Sequence, residues 1–208
     1  MLKDLPFDTI GLRGDDVQTL EDTYSLLCSK FSIGLPGDTN LHLNNFELFC
    51  NNPDLSIGGI LLLNHDIKDC YLAFIKIHYH SVNTRTGGED IDYYKYKVWA
   101  FITSKNDFGR ILIRKETFAD RVLQLVHPVE LKFKDDTAFN HKFYVVTNDE
   151  QKALNAMNWN FRNVVMDMAN DLMIETANHV LVIGDNKEID PQNVVYLAGF
   201  ANKIAALK

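Results

Sequence analysis

Cysteine is scarce in this chain, and what there is forms no pattern. Cys28, Cys50 and Cys70 are odd in number and far apart, so neither a CxxC metal knuckle nor a paired disulfide framework is available. They read as buried thiols of a reducing compartment, with no candidate nucleophile among them. Proline is also sparse, at 5 residues, and no low-complexity tract or repeat is visible, which excludes the disordered and solenoid classes.

Basic charge is in deficit. Lys and Arg number 21 against 28 Asp and Glu, a formal charge of −7, and the densest basic stretch, Arg110 to Lys115, is interrupted by Ile111, Leu112 and Ile113. A phosphate backbone would be repelled, so nucleic acid is not an expected partner. Apolar runs such as Ile60 to Leu63 fall far short of the ~20 residues a spanning helix needs. The opening MLKDLPFDTI places an acid and a proline where a secretory signal would be apolar, so a cytoplasmic protein without an integral membrane segment is expected.

Recognised catalytic signatures are missing as well. There is no GxSxG elbow, no GxxxxGK[ST] loop and no GxGxxG turn. Asp107-Phe108-Gly109 spells a kinase tripeptide without its companion motifs and reads as a turn. No cofactor is expected.

What remains is an ordinary globular composition, 46% hydrophobic and 24% charged over 208 residues, long enough to bury roughly 70% of its unfolded surface. Val17, Leu20, Tyr24, Leu27, Cys28 and Phe31 recur at helical spacing after a capping box of Asp15 and Gln18. They predict an amphipathic helix over 16–31, broken by Gly34, Pro36 and Gly37. Then the period changes. SIGGILLL reads as a strand whose Gly pair marks a bulge or a close backbone approach. CYLAFIKIHYH and IDYYKYKVWAFIT lose their polar alternation in the halves farther from the 81–90 loop, so they are expected to pair as an antiparallel hairpin.

Further on, RILIR and VELKF read as strands flanking a short helix near Thr117 with Phe118, Val122 and Leu125. FYVVT over 143–147 is another strand. Asn148 is an expected N-cap for a helical region over about 149–170, which its asparagines weaken and which is expected to break near Asn158. LMIET and VLVIG form a hairpin around Asn178, a residue that tolerates the left-handed conformation. Asp190 caps a last helix with Pro191 in its first turn. Strands in runs argue for a single α+β domain over 1–208, with a possible helical lead-in over 1–55 and a mainly antiparallel sheet with helices packed on one side.

Two sets of residues carry candidate chemistry. Tyr93, Tyr96 and Trp99 with Lys95 and Lys97 could form a stacking and cationic surface for a protein partner or small ligand, or could simply be strand aromatics covering a core. His78 and His80 share a strand face and could converge on one ion with Glu89, Asp90, Asp92 or His65 as a further ligand. The cupin pattern fails here, because Leu72, Thr84 and Arg85 occupy the positions where it needs Gly and Glu. The leading expectation is a soluble non-enzymatic interaction or ligand-binding module. The alternative is a metal-assisted hydrolase using His78, His80 and Glu89, the ion lowering the pKa of a bound water. Assembly as a homo-oligomer is a third possibility.

From about Tyr71 onward the chain resembles a family of uncharacterised bacterial proteins. The likeness lies in the tyrosine-rich hairpin ending VWAFIT, RILIR followed by KETF, FNHKFYVVTNDEQKAL leading into a helix, and LMIETANHVLVIG before a final helix. In that family the region forms a soluble domain often standing behind hydrophobic spans, which this sequence lacks. The resemblance implies a fold of that kind and transfers no functional residue.

Overall fold

A long antiparallel hairpin is the spine of the molecule. The computed structural model describes residues 5–37, 39–50, 54–63, 70–81, 91–115, 130–169 and 171–207. Strands β3 (Cys70–Ser81) and β4 (Ile91–Thr103) pair in unbroken register from Cys70 with Ile102 to Ser81 with Ile91. The residue period of two that the sequence shows is thus a true two-faced ribbon. On its outer side lies β2 (Leu55–Leu63), with the two-residue β1 (Ile33–Gly34) beyond it. The register of β2 slips between Ile57 and Gly59, at the bulge expected of the Gly pair.

The other half of the sheet is built from β5 (Arg110–Lys115), β6 (Phe143–Thr147), β7 (Met173–Ala177) and β8 (Val180–Gly184). Strand order is β1-β2-β3-β4-β8-β7-β5-β6, and every neighbouring pair is antiparallel. The β7–β8 hairpin turns on Asn178 at φ 54°, as its sequence suggests.

Six α-helices are described, and most cover one face. They are α1 (Gly14–Lys30), α2 (Glu47–Cys50), α3 (Thr137–Lys142), α4 (Glu150–Ala156), α5 (Trp159–Val165) and α6 (Pro191–Ala205). On that face Leu20 and Leu27 of α1, Phe161 of α5 and Leu197 of α6 pack against Phe74, Val98 and Ile174 of the sheet. Asp190 caps α6 by accepting from the Asn193 amide, with Pro191 in the first turn. The expected break is present: α4 ends at Ala156, and the Asn158 side chain accepts from the Phe161 amide to start α5.

Several expectations need correcting. α1 starts at Gly14 with Arg13 as N-cap and no side-chain cap, so the Asp15–Gln18 capping box does not form. The acids of the first turn act instead through the helix dipole and through Asp16, which ion-pairs with Arg13 and Lys95. Of VELKF, the described residues 130–133 contribute a bridge from Glu130 to Val146 and a hydrogen bond from the Leu131 amide to the Val145 carbonyl before the chain turns away to α3, where Asp136 accepts from the Phe139 amide. Cys28 and Cys50 are exposed and only Cys70 is buried, its thiol pushed up to about 12 by burial. The helix expected near Thr117 lies outside the described residues. No helix among those described is long and apolar enough to cross a membrane.

Candidate functional site

The described residues cover the second face of the sheet over part of its width. Above β3, β4 and β8, Leu41, Phe46 and Phe49 pack on Ile75, Trp99, Phe101 and Val182. Phe49 meets Trp99 edge-on at 5.4 Å and Phe46 meets Phe101 likewise at 5.9 Å, geometries that suit aromatic quadrupoles. This cover ends at α2, where a single carboxylate holds it down. Glu175 of β7 is 6% exposed. Its Oε1 accepts from the Glu47 amide at 2.7 Å and its Oε2 from the Leu48 amide at 3.0 Å. A charge that deep must be hydrogen-bonded, and two first-turn amides that a helix cannot pair internally supply the donors.

Past Glu175 the floor continues without cover from the described residues. Leu112 sits opposite Glu175 in one direction and opposite Val146 in the other, so all three share this face. Leu112 and Val146 are half-buried. A cavity of about 590 Å³ opens above them, bounded by Glu47 and Leu48 on one side and by Arg110 and Asn148 on another. Its size falls within the roughly 300–1,000 Å³ of small-molecule sites.

The polar groups around this cleft differ in how they are engaged. Asn148 accepts the Arg110 amide through Oδ1 at 2.9 Å, and its side-chain nitrogen has no partner among the described residues. The exposed guanidinium of Arg110 and the exposed carboxylate of Glu47 likewise form no ion pair among the described residues. Arg114, farther along the same strand face, is engaged over the Tyr144 ring at 4.9 Å.

The sequence-based candidates are distributed differently. Tyr96 and Trp99 are each 2% exposed and lie on opposite faces of β4, Tyr96 under the helices and Trp99 beneath Phe49. Tyr93 stacks on Tyr79 at 5.3 Å, with the Arg13 guanidinium 5.7 Å from its centroid. Lys95 is bound to Asp16 at 2.9 Å and Glu188 at 3.2 Å, and the Asp16 hydrogen bond raises its pKa against some desolvation. Lys97 is half-buried. The five therefore form no single exposed platform, because strand alternation divides them and the second-face cover buries the tryptophan.

His78 and His80 do share a face, and both reach the same oxygen. His80 Nδ1 lies 2.7 Å and His78 Nε2 3.2 Å from Asp92 Oδ1, while His78 also stacks on Tyr94 at 4.8 Å. Hydrogen bonding from His80 holds the Asp92 carboxyl below the usual range. Glu89 lies outside the described residues, and no group of three or more His, Cys, Asp or Glu among the described residues is arranged to hold a metal ion.

The cleft residues escaped sequence reasoning, although one signal for them existed. Glu175 is a charge in the middle of MIETA, a strand with an otherwise apolar interior, and such a residue demands a partner. Comparison with family models, with curated proteins and with solved structures finds no match to this chain.

Proposed function

We propose that this protein is a non-enzymatic binding module that seats a small ligand in the cleft above β5, β6 and β7. The observation that carries this reading is the cavity of about 590 Å³ that the described residues leave open on a sheet face whose other half is covered by Leu41, Phe46 and Phe49. A hydrogen-bonded sheet is a rigid floor, and the Glu175 carboxylate fixes the α2 wall beside it. The site is thereby preorganised, so little ordering cost would be charged to a ligand. Around the apolar strip of Leu112 and Val146 stand a few polar groups able to orient a bound molecule, the usual composition of such sites.

The test is a thermal-shift screen of small metabolites against the wild-type chain and a Val146→Trp variant whose indole fills the cavity. Compounds that raise the wild-type melting temperature should lose their effect on the variant, whose own circular dichroism should be unchanged. Equal shifts in both proteins, or none in either, would remove this assignment.

A further inference from the structure

We infer that the ligand of this cleft is a small zwitterion with an apolar body, an amino acid with an aliphatic side chain being the simplest member of the class. The inference rests on the reading of the cleft as a binding site and adds what the site would select.

Three features of the cleft point the same way. First, it brings one cation and one anion to a common cavity without pairing them. Arg110 and Glu47 both line it, yet neither has an ion-pair partner among the described residues. Second, the other acid in the wall is already engaged. Glu175 gives one oxygen to the Glu47 amide and the other to the Leu48 amide, so its charge is absorbed by α2. Third, the ground between the two free charges is apolar. Arg110 and Leu112 lie on one face of β5 two residues apart, about 7 Å at strand rise. Glu175 stands opposite Leu112 and holds the Glu47 backbone, so Glu47 rises over the Leu112 row while Arg110 lies one row away.

These placements decide between ligand charges. A purely anionic molecule would gain Arg110 and meet Glu47; a purely cationic one would gain Glu47 and meet Arg110. A molecule carrying both charges satisfies both, with its carboxylate at Arg110 and the neighbouring Asn148 amide and its ammonium at Glu47. Charge-assisted hydrogen bonds of this kind are stronger than neutral ones, and a fork such as Arg110 suits a carboxylate. The aliphatic part would then lie on Leu112 and Val146, removing both from water.

The experiment follows methyl and amide resonances of the full chain during titration with four probes sharing one isobutyl group. They are L-leucine, N-acetyl-L-leucine without the cation, L-leucinamide without the anion, and 4-methylpentanamide with neither. L-leucine should shift the Leu112 and Val146 methyls, and each singly blocked analogue should bind about tenfold more weakly, the loss of one charged contact. Arg110→Gln should weaken L-leucine and N-acetyl-L-leucine while sparing L-leucinamide, and Glu47→Gln should do the converse. Both side chains are exposed, so unchanged spectra elsewhere will confirm the fold. If the analogues bind as well as L-leucine, or the variants bind all probes like wild type, the zwitterion is overturned. In that event, shifts caused by 4-methylpentanamide at the same methyls would leave the cleft as a binding site. Silence from all four probes would overturn the zwitterion, while the reading of the cleft as a binding site would stand or fall on the metabolite screen.

Discussion

The hydroxyl of Tyr96 occupies the space that a side chain on Gly58 would need. A Cβ built on Gly58 would stand 1.9 Å from Tyr96 Oη, which donates to the Asp8 carbonyl at 2.6 Å. The next glycine is equally confined, since a Cβ on Gly59 would meet Phe7 Cδ1 at 2.5 Å. The bulge in β2 therefore lets the 5–8 segment and a β4 tyrosine close on the same stretch of backbone, and the Asp8 amide donates to the Gly58 carbonyl at 2.7 Å.

Gly58→Ala should accordingly destabilise by about 2 kcal/mol or more, the cost of overpacking a buried site. Tyr96→Phe should cost about 1 kcal/mol through the lost hydrogen bond and the orphaned Asp8 carbonyl. Combining them in urea unfolding gives a decisive readout. With the hydroxyl gone, the Gly58→Ala penalty should shrink, because the nearest clashing atom is absent. A strictly additive double mutant would show that the Tyr96 hydroxyl is not what excludes a side chain at position 58.

Glu175 governs the cover of the second face. Glu175→Gln replaces one acceptor oxygen with a donor that confronts the α2 amides, so hydrogen-exchange protection at Glu47 and Leu48 should fall while that of the β7 core persists. The destabilisation should be about 1–3 kcal/mol, the range for a buried group left with an unsatisfied partner. Protection at Glu47 and Leu48 equal to wild type would mean that aromatic packing alone retains α2.

How far this architecture can be read from the sequence varies along the chain, for physical reasons. The β3–β4 hairpin, the β7–β8 turn at Asn178 and the Asp190–Pro191 helix start are encoded by alternation, a left-handed residue and a cap. These are local signals within a few residues of the structure they specify. Residues 33–50 are different. A two-residue strand and a four-residue helix have almost no propensity of their own, and α2 exists through contacts with Glu175, 128 and 127 residues away. The cleft is hidden from the sequence for the same reason. Sequence shows that the β4 aromatics alternate, but not that Phe49 roofs Trp99 or that, among the described residues, the roof stops short of Leu112.

Lys76 and Asp8 give stability a defined acid dependence. Lys76 is 4% exposed, and its ammonium donates to Asp8 Oδ2 at 2.7 Å and to the Ile10 carbonyl at 2.6 Å. Hydrogen bonding from Lys76, aided by the Ile10 amide, lowers the Asp8 pKa from its ordinary 3.8. A carboxyl depressed in the folded state adds stability that is complete above its unfolded pKa and drains away as pH falls toward the folded one. Urea midpoints from about pH 5 down to about pH 3 should therefore fall less steeply for Lys76→Met than for wild type. The variant should be weaker at every pH, since the Ile10 carbonyl and the face of Tyr94 also lose their cation. Parallel pH profiles would remove Asp8 from the acid response.

Arg162 tests how much a buried cation contributes when one of its two acids remains wet. It is 4% exposed and spends its donors on three acceptors: Asp136 Oδ2 at 3.0 Å, Asp135 Oδ2 at 2.7 Å and the Met157 carbonyl at 2.9 Å. Its guanidinium also lies 4.5 Å from the centre of the Phe133 ring. Removing one member of a fully buried pair strands a charge at roughly 3–5 kcal/mol. Here, however, the Asp135 side chain is 69% exposed, and Asp136 keeps the Phe139 amide as a donor. Arg162→Met should thus cost about 2 kcal/mol, mostly through the uncapped Met157 carbonyl and the lost fork at Asp136. Arg162→Lys should recover little of this, since one ammonium cannot span three acceptors set for a planar fork. Asp135→Ala should cost less than about 1 kcal/mol, the value of a solvated pair. Chemical denaturation of the three variants orders these terms: if Asp135→Ala proves as damaging as Arg162→Met, the exposed carboxylate, and not the carbonyl and Asp136, is what the buried guanidinium serves.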